Sequence, residues 1–272
     1  MTSWTPSKLH VFDPVGECVY CGNRQRKLGK EHVVPFGLGG RIILPKASCI
    51  SADPKNEPAC SDITREIEQQ CLRPMFANLR IRLDMPSRNP DERPDLVRVN
   101  VGHGDGDKWR QEQTLDVPVE DFPRALVLPT LAPPRALTKD TAGDWNGSVW
   151  THVVEEDLDD FHRKYGCWPE VAKVHPLFFL RMIAKIAHAW TCGVEGVKNF
   201  RPLLTDLILG KTEVIRDFIG SEPSYPPAEP GRSHGLRTDY YRVNGVDYVG
   251  ANVRLFSDFG APEYIVIVGE RL

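Results

Sequence analysis

Four cysteines within the first 60 residues constrain the fold of this 272-residue chain more than any other feature. Cys18 and Cys21 form a C-x-x-C pair, and Cys49 and Cys60 form a second, more widely spaced pair. Zinc takes four ligands in tetrahedral geometry, and a C-x-x-C pair can bind one metal from a tight turn. A segment this short has little apolar core of its own, so a bound metal would supply much of its folding energy. The spacing therefore predicts one structural zinc site formed by these four cysteines.

The surroundings of the two pairs fit this prediction and leave two alternatives. Gly22 and Asn23, which tolerate a positive φ, follow the first pair and suit a tight turn. Residues 53–58 are a polar, proline-containing insertion in the second pair, and a loop of this length closes at little extra entropic cost. The first alternative is a set of unrelated buried or free thiols. The second, disulfides, is less favoured because the chain has seven cysteines and begins without a secretory signal pattern; we therefore expect a cytoplasmic protein.

A second chemical feature lies between the two thiol pairs. Glu31 and His32 are adjacent there, and Val33-Val34-Pro35 follows as a short extended segment. Neutral imidazole can accept a proton from water near pH 7, and a carboxylate is the type of oxygen ligand that Mg²⁺ prefers. A general base beside a cation ligand is typical of metal-dependent phosphodiester hydrolysis. The alternative roles for His32 are a further zinc ligand or a structural histidine.

These motifs, taken in order, resemble the zinc-stapled branch of the HNH endonuclease family over residues 18 to about 75. The resemblance is carried by Cys18-x-x-Cys21, Glu31-His32-Val33-Val34-Pro35, Leu38-Gly39-Gly40 and Ser48-Cys49. It implies a ββα-metal finger, in which a two-stranded hairpin and a helix enclose a catalytic metal. It also implies that His32 is the general base, that Glu31 binds a catalytic Mg²⁺ or Mn²⁺, and that the four cysteines hold structural zinc. The family usually has Asn or His after the last cysteine; here Ser61 stands there, and we expect Glu68 to supply the missing ligand.

The distribution of charge suggests DNA as the partner. The net charge of −3 and pI near 6.3 exclude a protein that is basic overall. Residues 24–46, however, contain many cations and only one acid, Glu31. We assign five of these cations to nucleic-acid binding: Arg24, Lys27, Lys30, Arg41 and Lys46. Contacts from such a patch to phosphates would be salt-sensitive and mostly independent of sequence. The alternative is an ordinary solvated charged turn.

The remaining chain predicts a larger α+β domain. We divide the chain into an HNH-like domain at residues 1–83, a proline-rich linker at 84–97 and an α+β domain at 98–272. Strands are expected at 96–101, at 113–119 and near the C-terminus, where Asn244-Gly245 is a hairpin signal. The apolar run 177–190 predicts a buried helix, too short and too charged to cross a membrane. Residues 200–219 predict one or two helices, interrupted near Gly210.

Three functions stay open from the sequence. The first is a metal-dependent DNA endonuclease with His32 as its base. The second, suggested by Ser61, is a zinc-stapled module that binds nucleic acid without cleaving it. The third is a metal-binding adaptor whose larger domain carries the role. By analogy with regions appended to other nucleases, that domain would select a target or sense a signal.

Overall fold

A computed structural model describes residues 3–4, 8–51, 58–73, 75–86, 95–105, 108–138, 148–170, 174–222 and 233–272. These residues have the α+β fold that the sequence predicts. The helices are α1 Cys60–Leu72, α2 Ala77–Arg82, α3 Arg135–Thr138, α4 Glu155–Tyr165, α5 Pro176–Glu195 and α6 Thr205–Ile208. The strands are β1 Ser3–Trp4, β2 His10–Val11, β3 Leu28–His32, β4 Ile42–Cys49, β5 Leu96–Asp105, β6 Lys108–Pro118, β7 Ala125–Pro129, β8 Val149–Val153, β9 Trp168–Pro169, β10 Phe200–Pro202, β11 Ile219–Glu222, β12 His234–Val243, β13 Val246–Leu255 and β14 Glu263–Arg271.

Strands β3 and β4 and helix α1 follow one another and, together with residues 18–27 before them, form what we call the ββα unit. The two strands are antiparallel, with Leu28 opposite Cys49 and His32 opposite Ile43, and β2 adds to β4 in parallel. Gly39 turns the chain between the strands with a φ of 79°. At Gly40, a Cβ atom would overlap the carbonyl oxygen of the nearby Val34, so only glycine fits there.

Antiparallel strands dominate the C-terminal part of the chain. Strands β12, β13 and β14 pair in order, and β1, β10 and β11 extend the same sheet. Asn244 and Gly245 connect β12 to β13 with φ values of 52° and 83°, which are typical of a type I′ hairpin turn. The hairpin predicted from these two residues is therefore confirmed.

Helix α5 is the buried helix predicted for residues 177–190. It lies between the ββα unit and the C-terminal sheet, and its central residues are buried from Met182 to Cys192. The length argument against a membrane span was wrong, because the 20 residues of α5 meet the length and hydropathy of one. Since 72% of its most apolar window is buried inside the protein, α5 has the environment of a core helix.

The helices predicted for residues 200–219 are largely wrong. Phe200 to Pro202 form strand β10 and pair with the end of β14, which satisfies the backbone in an extended form. Only the four residues of α6 are helical, and Gly210 follows them with a φ of 73°. Pairing with the sheet has overridden the local preference for helix.

The apolar core crosses the domain division that the sequence suggests. One buried cluster contains Val33 and Leu44 of the ββα unit together with Ile183 of α5 and Val253 of β13. A second, smaller cluster lies between β5, β6 and α4. The predicted linker at 84–97 and the insertion at 53–58 lie mostly outside the described residues, so the division into domains stays a prediction.

Candidate functional site

The four cysteines of the ββα unit converge on one point. The sulfur atoms of Cys18, Cys21, Cys49 and Cys60 all lie within 4.8 Å of one another. Cys21 is exposed and the other three are buried. Four sulfurs in this arrangement can hold one tetrahedral metal ion such as zinc. All seven cysteines of the chain are free thiols, so none is held in a disulfide.

Local backbone geometry positions the first cysteine pair. The N–H of Gly22 donates to the carbonyl of Cys18 at 2.8 Å, and Gly22 has a φ of 70°. The side-chain oxygen of Asn23 accepts the N–H groups of Gln25 and Arg26 at 2.9 and 2.8 Å, which fixes the following turn. These contacts form a compact knuckle, residues 18–23, that presents both sulfurs.

The second pair joins the hairpin to the helix. Cys49 is the last residue of β4, and Cys60 is the first residue of α1. The N-cap of this helix is Ala59, which directly precedes Cys60. A metal held by all four sulfurs would therefore connect the knuckle, the hairpin and the helix.

Hydrogen bonds already favour a thiolate in this cluster. The Cys60 thiol is the main cause that lowers the pKa of Cys18, and the N–H of Cys49, 3.4 Å from the Cys18 sulfur, acts in the same direction. The N–H of Cys60 also donates to the Cys49 sulfur at 3.2 Å. A thiolate is the form that binds metal, so these donors favour the metal-binding form of Cys18. Burial raises the pKa of Cys21, and the hydrogen bond to Cys18 raises that of Cys60.

Glu31 and Glu68, the predicted ligands of the catalytic metal, lie side by side around the ammonium group of Lys185. The Lys185 Nζ is 2.6 Å from Glu31 Oε1 and 2.8 Å from Glu68 Oε1. It also donates to the carbonyl oxygen of His32 and, at 3.4 Å, to that of Val33. The two carboxylates and Lys185 thus form a buried group that joins β3, α1 and α5.

The charge state of this group follows from its surroundings. Lys185 has no exposed side-chain surface, and the exposed fractions of the Glu31 and Glu68 side chains are 6% and 19%. Burial alone would lower the pKa of Lys185, but the charges of Glu31 and Glu68 outweigh it and hold that pKa above its usual value. The charged form of Lys185 is therefore favoured, while burial raises the pKa of Glu31.

A catalytic metal does not fit this arrangement. The Lys185 ammonium occupies the point at which the oxygens of Glu31, Glu68 and His32 meet. A divalent cation at that point would contact the ammonium and be repelled by it. Within the described residues, the only cluster of possible metal ligands is that of the four cysteines. No residue geometry in the described ranges supports Mg²⁺ or Mn²⁺ at Glu31 and Glu68.

His32, the predicted general base, is half-buried at the end of β3. Its ring lies 6.0 Å from that of Phe36, and its backbone pairs with Ile43. Its proposed role in proton transfer stays a prediction. Ser61 is half-buried in the first turn of α1.

The predicted nucleic-acid-binding cations are all at the surface. The exposed side chains are those of Arg24, Lys27, Lys30, Arg41 and Lys46. Arg24 forms an ion pair of 2.7 Å with Glu17. At the bulge between Gly29 and Glu31, Lys30 lies opposite residues 45–47, and Lys46 has a φ of 49°. Two cations therefore lie on neighbouring strands at one irregular point of the hairpin.

Lys185 is the residue that sequence reasoning missed, and His188, on the same helix, contacts the knuckle. The His188 Nε2–H donates to the carbonyl of Val19 in the knuckle at 2.7 Å, and both residues are buried. Lys185 and His188, about one turn apart on α5, thus both supply polar contacts to the ββα unit. The available signal was a lysine in an apolar helix, because a fully buried lysine is rare unless a carboxylate pairs with it.

Comparisons with protein-family models, with curated proteins and with solved structures find no match to this chain. The resemblance to the HNH family therefore depends on the motifs quoted above and on the β3–β4–α1 order. Any function has to be argued from the site itself.

Proposed function

We propose that the chain binds nucleic acid through its ββα unit and that zinc, one ion per chain at the four cysteines, holds this unit together. The observation that carries the proposal is the separation of charge in the unit. Its cations lie at the surface, whereas Glu31 and Glu68 are turned inward onto Lys185. The exposed side of the hairpin is therefore positive although the whole chain is slightly acidic.

Lysines that have no carboxylate partner in the described part of the chain favour phosphate binding by the hairpin over the alternative of an ordinary solvated turn. Among the described residues, no ion pair involves Lys27, Lys30 or Lys46. A lysine without a carboxylate partner can contact a phosphate without first breaking an internal ion pair. Such contacts position a protein on the backbone and carry no sequence information.

Charge reversal at the hairpin tests this proposal. Lys30→Glu should weaken binding of a short DNA duplex by about threefold to tenfold at low salt and reduce the salt dependence of the affinity. Arg163→Glu is the matched control, because Arg163 is an exposed cation on α4 whose partner is the neighbouring Asp160. Fluorescence anisotropy across a salt series measures both variants.

Two outcomes would contradict nucleic-acid binding at the hairpin. One is a wild-type protein with no measurable affinity for DNA or RNA at low salt. The other is equal weakening by Lys30→Glu and Arg163→Glu, which would show only the effect of total charge.

The second candidate is the metal-dependent DNA endonuclease implied by the HNH resemblance. The observation that favours it is the position of His32, which is next to Glu31 and whose backbone carbonyl binds the same Lys185 ammonium as Glu68. In this function His32 takes a proton from the attacking water. Lys185 would first have to leave the two carboxylates for any divalent cation to bind there.

Plasmid nicking separates the two candidates. Zinc-loaded wild type and His32→Ala are incubated with supercoiled DNA and Mg²⁺ or Mn²⁺. Cleavage that requires both His32 and the divalent cation would favour the endonuclease. Binding by the same preparation, with no nicking by either protein, would favour the non-catalytic module.

A further inference from the structure

The ββα unit already has a cation at its centre, supplied by a distant part of the chain. An ammonium group has three N–H donors. In Lys185 they serve Glu31, Glu68 and the carbonyl of His32, with Val33 as a weaker, shared acceptor. The ammonium is therefore fully coordinated by oxygen atoms of the protein.

We propose that Lys185 is the resident cation of this site and replaces the divalent metal that the HNH resemblance implies. Two carboxylates and a carbonyl are the oxygen ligands that Mg²⁺ and Mn²⁺ prefer. Here the ammonium group of Lys185, which is covalently part of α5, takes the place of the divalent ion. This inference goes beyond the proposed function, because it holds whether or not the chain binds nucleic acid.

Lys185 cannot easily leave the site to admit a metal. It lies in the middle of α5, where the adjacent Ala184 and Ile186 are both fully buried. The helix packs against α1 on one side and against β13 and β14 on another. The ammonium is therefore enclosed by the packing of α5 and has no exposed surface through which it could exchange with a metal ion.

The proposal predicts that removing the ammonium creates a divalent-cation site. In Lys185→Met the charge is lost while a side chain of similar length remains. Its two carboxylates then lack a counter-charge, and a divalent ion can supply it. We expect zinc-loaded Lys185→Met to bind one Mn²⁺ at least about tenfold more tightly than wild type.

Electron paramagnetic resonance of free Mn²⁺ measures this binding directly. Wild type should show no saturable site, and the double variant Lys185→Met/Glu68→Gln should lose most of the affinity that Lys185→Met gains. Lys211→Met is the control, because Lys211 is exposed and pairs with Asp206 at 3.4 Å. It should bind no more Mn²⁺ than wild type.

One result overturns the proposal without any need for the lysine variant. If wild type binds one Mn²⁺ and Glu68→Gln weakens that binding about tenfold or more, the metal and not Lys185 is the cation of the site. Folded Lys185→Met that binds no Mn²⁺ would also overturn it. If Lys185→Met does not fold, the comparison of wild type with Glu68→Gln decides alone, and absence of Mn²⁺ from wild type supports the proposal.

Discussion

Among single residues, the cysteines fall into two chemical groups. Four sulfurs converge within 4.8 Å, whereas Cys71, Cys167 and Cys192 are buried separately. Burial raises the pKa of Cys71 and of Cys192, so both stay protonated and behave as small apolar side chains. Only the converging group has the geometry for a metal.

This difference predicts which thiols control metal content. Cys49→Ser should reduce bound zinc from one equivalent per chain to a small fraction, because a serine hydroxyl does not ionise readily to bind the ion. Cys71→Ser, an equally buried change, should keep one equivalent. Elemental analysis of the purified proteins measures both. Wild type without zinc, or Cys49→Ser with a full equivalent, would contradict the four-cysteine site.

The role of Lys185, like that of each cysteine, depends on which residues the fold places around it. In sequence it is one charge in an apolar helix, and only the fold places it 2.8 Å from Glu68, which is 117 residues away along the chain. Removal of one partner from a buried ion pair destabilises the fold, because the other charge stays buried without compensation. The three charges of Glu31, Glu68 and Lys185 are therefore best regarded as one structural unit.

For the elements, the strength of local signals explains what could be predicted. The Asn244-Gly245 hairpin and the buried helix α5 have patterns contained within a few neighbouring residues, and both are confirmed. Convergence of the four cysteines was also predictable, since zinc chemistry fixes ligand type and number. Strand β10 was not, because its extended form depends on pairing with β14, almost 70 residues later. The Glu31–Lys185–Glu68 group has the same non-local origin.

The first turn of α4 provides a prediction of acid sensitivity. Asp157 accepts the backbone N–H of Arg124 at 2.9 Å and its guanidinium at 2.7 and 2.9 Å, which ties the helix to the start of β7. These hydrogen bonds, mainly those from the Arg124 guanidinium, lower the pKa of Asp157 below its usual value. The unfolded chain therefore binds this proton more readily than the folded chain does. The stabilisation is complete above the unfolded pKa and is lost as the pH falls through the lower, folded value.

We expect Asp157→Asn to lower the free energy of unfolding by about 1–2 kcal/mol at pH 7. The loss should shrink as the pH falls through the lowered folded pKa of Asp157, where the wild-type carboxylate also becomes protonated. Urea unfolding at several pH values measures the difference. Asp160→Asn on the same helix is the control, because its side chain is 70% exposed and its pair with Arg163 contributes little. An Asp157→Asn loss that is independent of pH would contradict the argument.

In the whole molecule, α5 joins the metal-binding unit to the C-terminal sheet. On one side His188 contacts Val19, and Lys185 contacts the backbone carbonyl of His32. On the other, the Trp190 Nε1–H donates to Thr238 of β12 at 3.0 Å. The main apolar cluster continues through both sides of the helix, whereas β5, β6 and α4 have their own core.

This connection predicts how far the effect of metal removal spreads. The sequence suggests a finger that unfolds alone when its zinc is lost. The shared core instead favours joint loss of structure, because release of the knuckle would expose the polar and apolar contacts of one face of α5. Hydrogen exchange followed by mass spectrometry, with and without a zinc chelator, distinguishes the two at the level of peptides.

We expect chelation to reduce protection in peptides from the knuckle, from α1 and from α5 together. Peptides from β5, β6 and α4 serve as the internal control and should keep their protection, because their core is separate from the main cluster. The Cys49→Ser protein should show the same pattern without chelator, which ties the effect to the metal. If only residues 18–72 lose protection while α5 stays unchanged, the finger is an independent unit and the connection through α5 does not carry stability. Loss of protection in α5 would mean that one zinc ion stabilises a helix more than 100 residues away in sequence, through the contacts of Lys185 and His188.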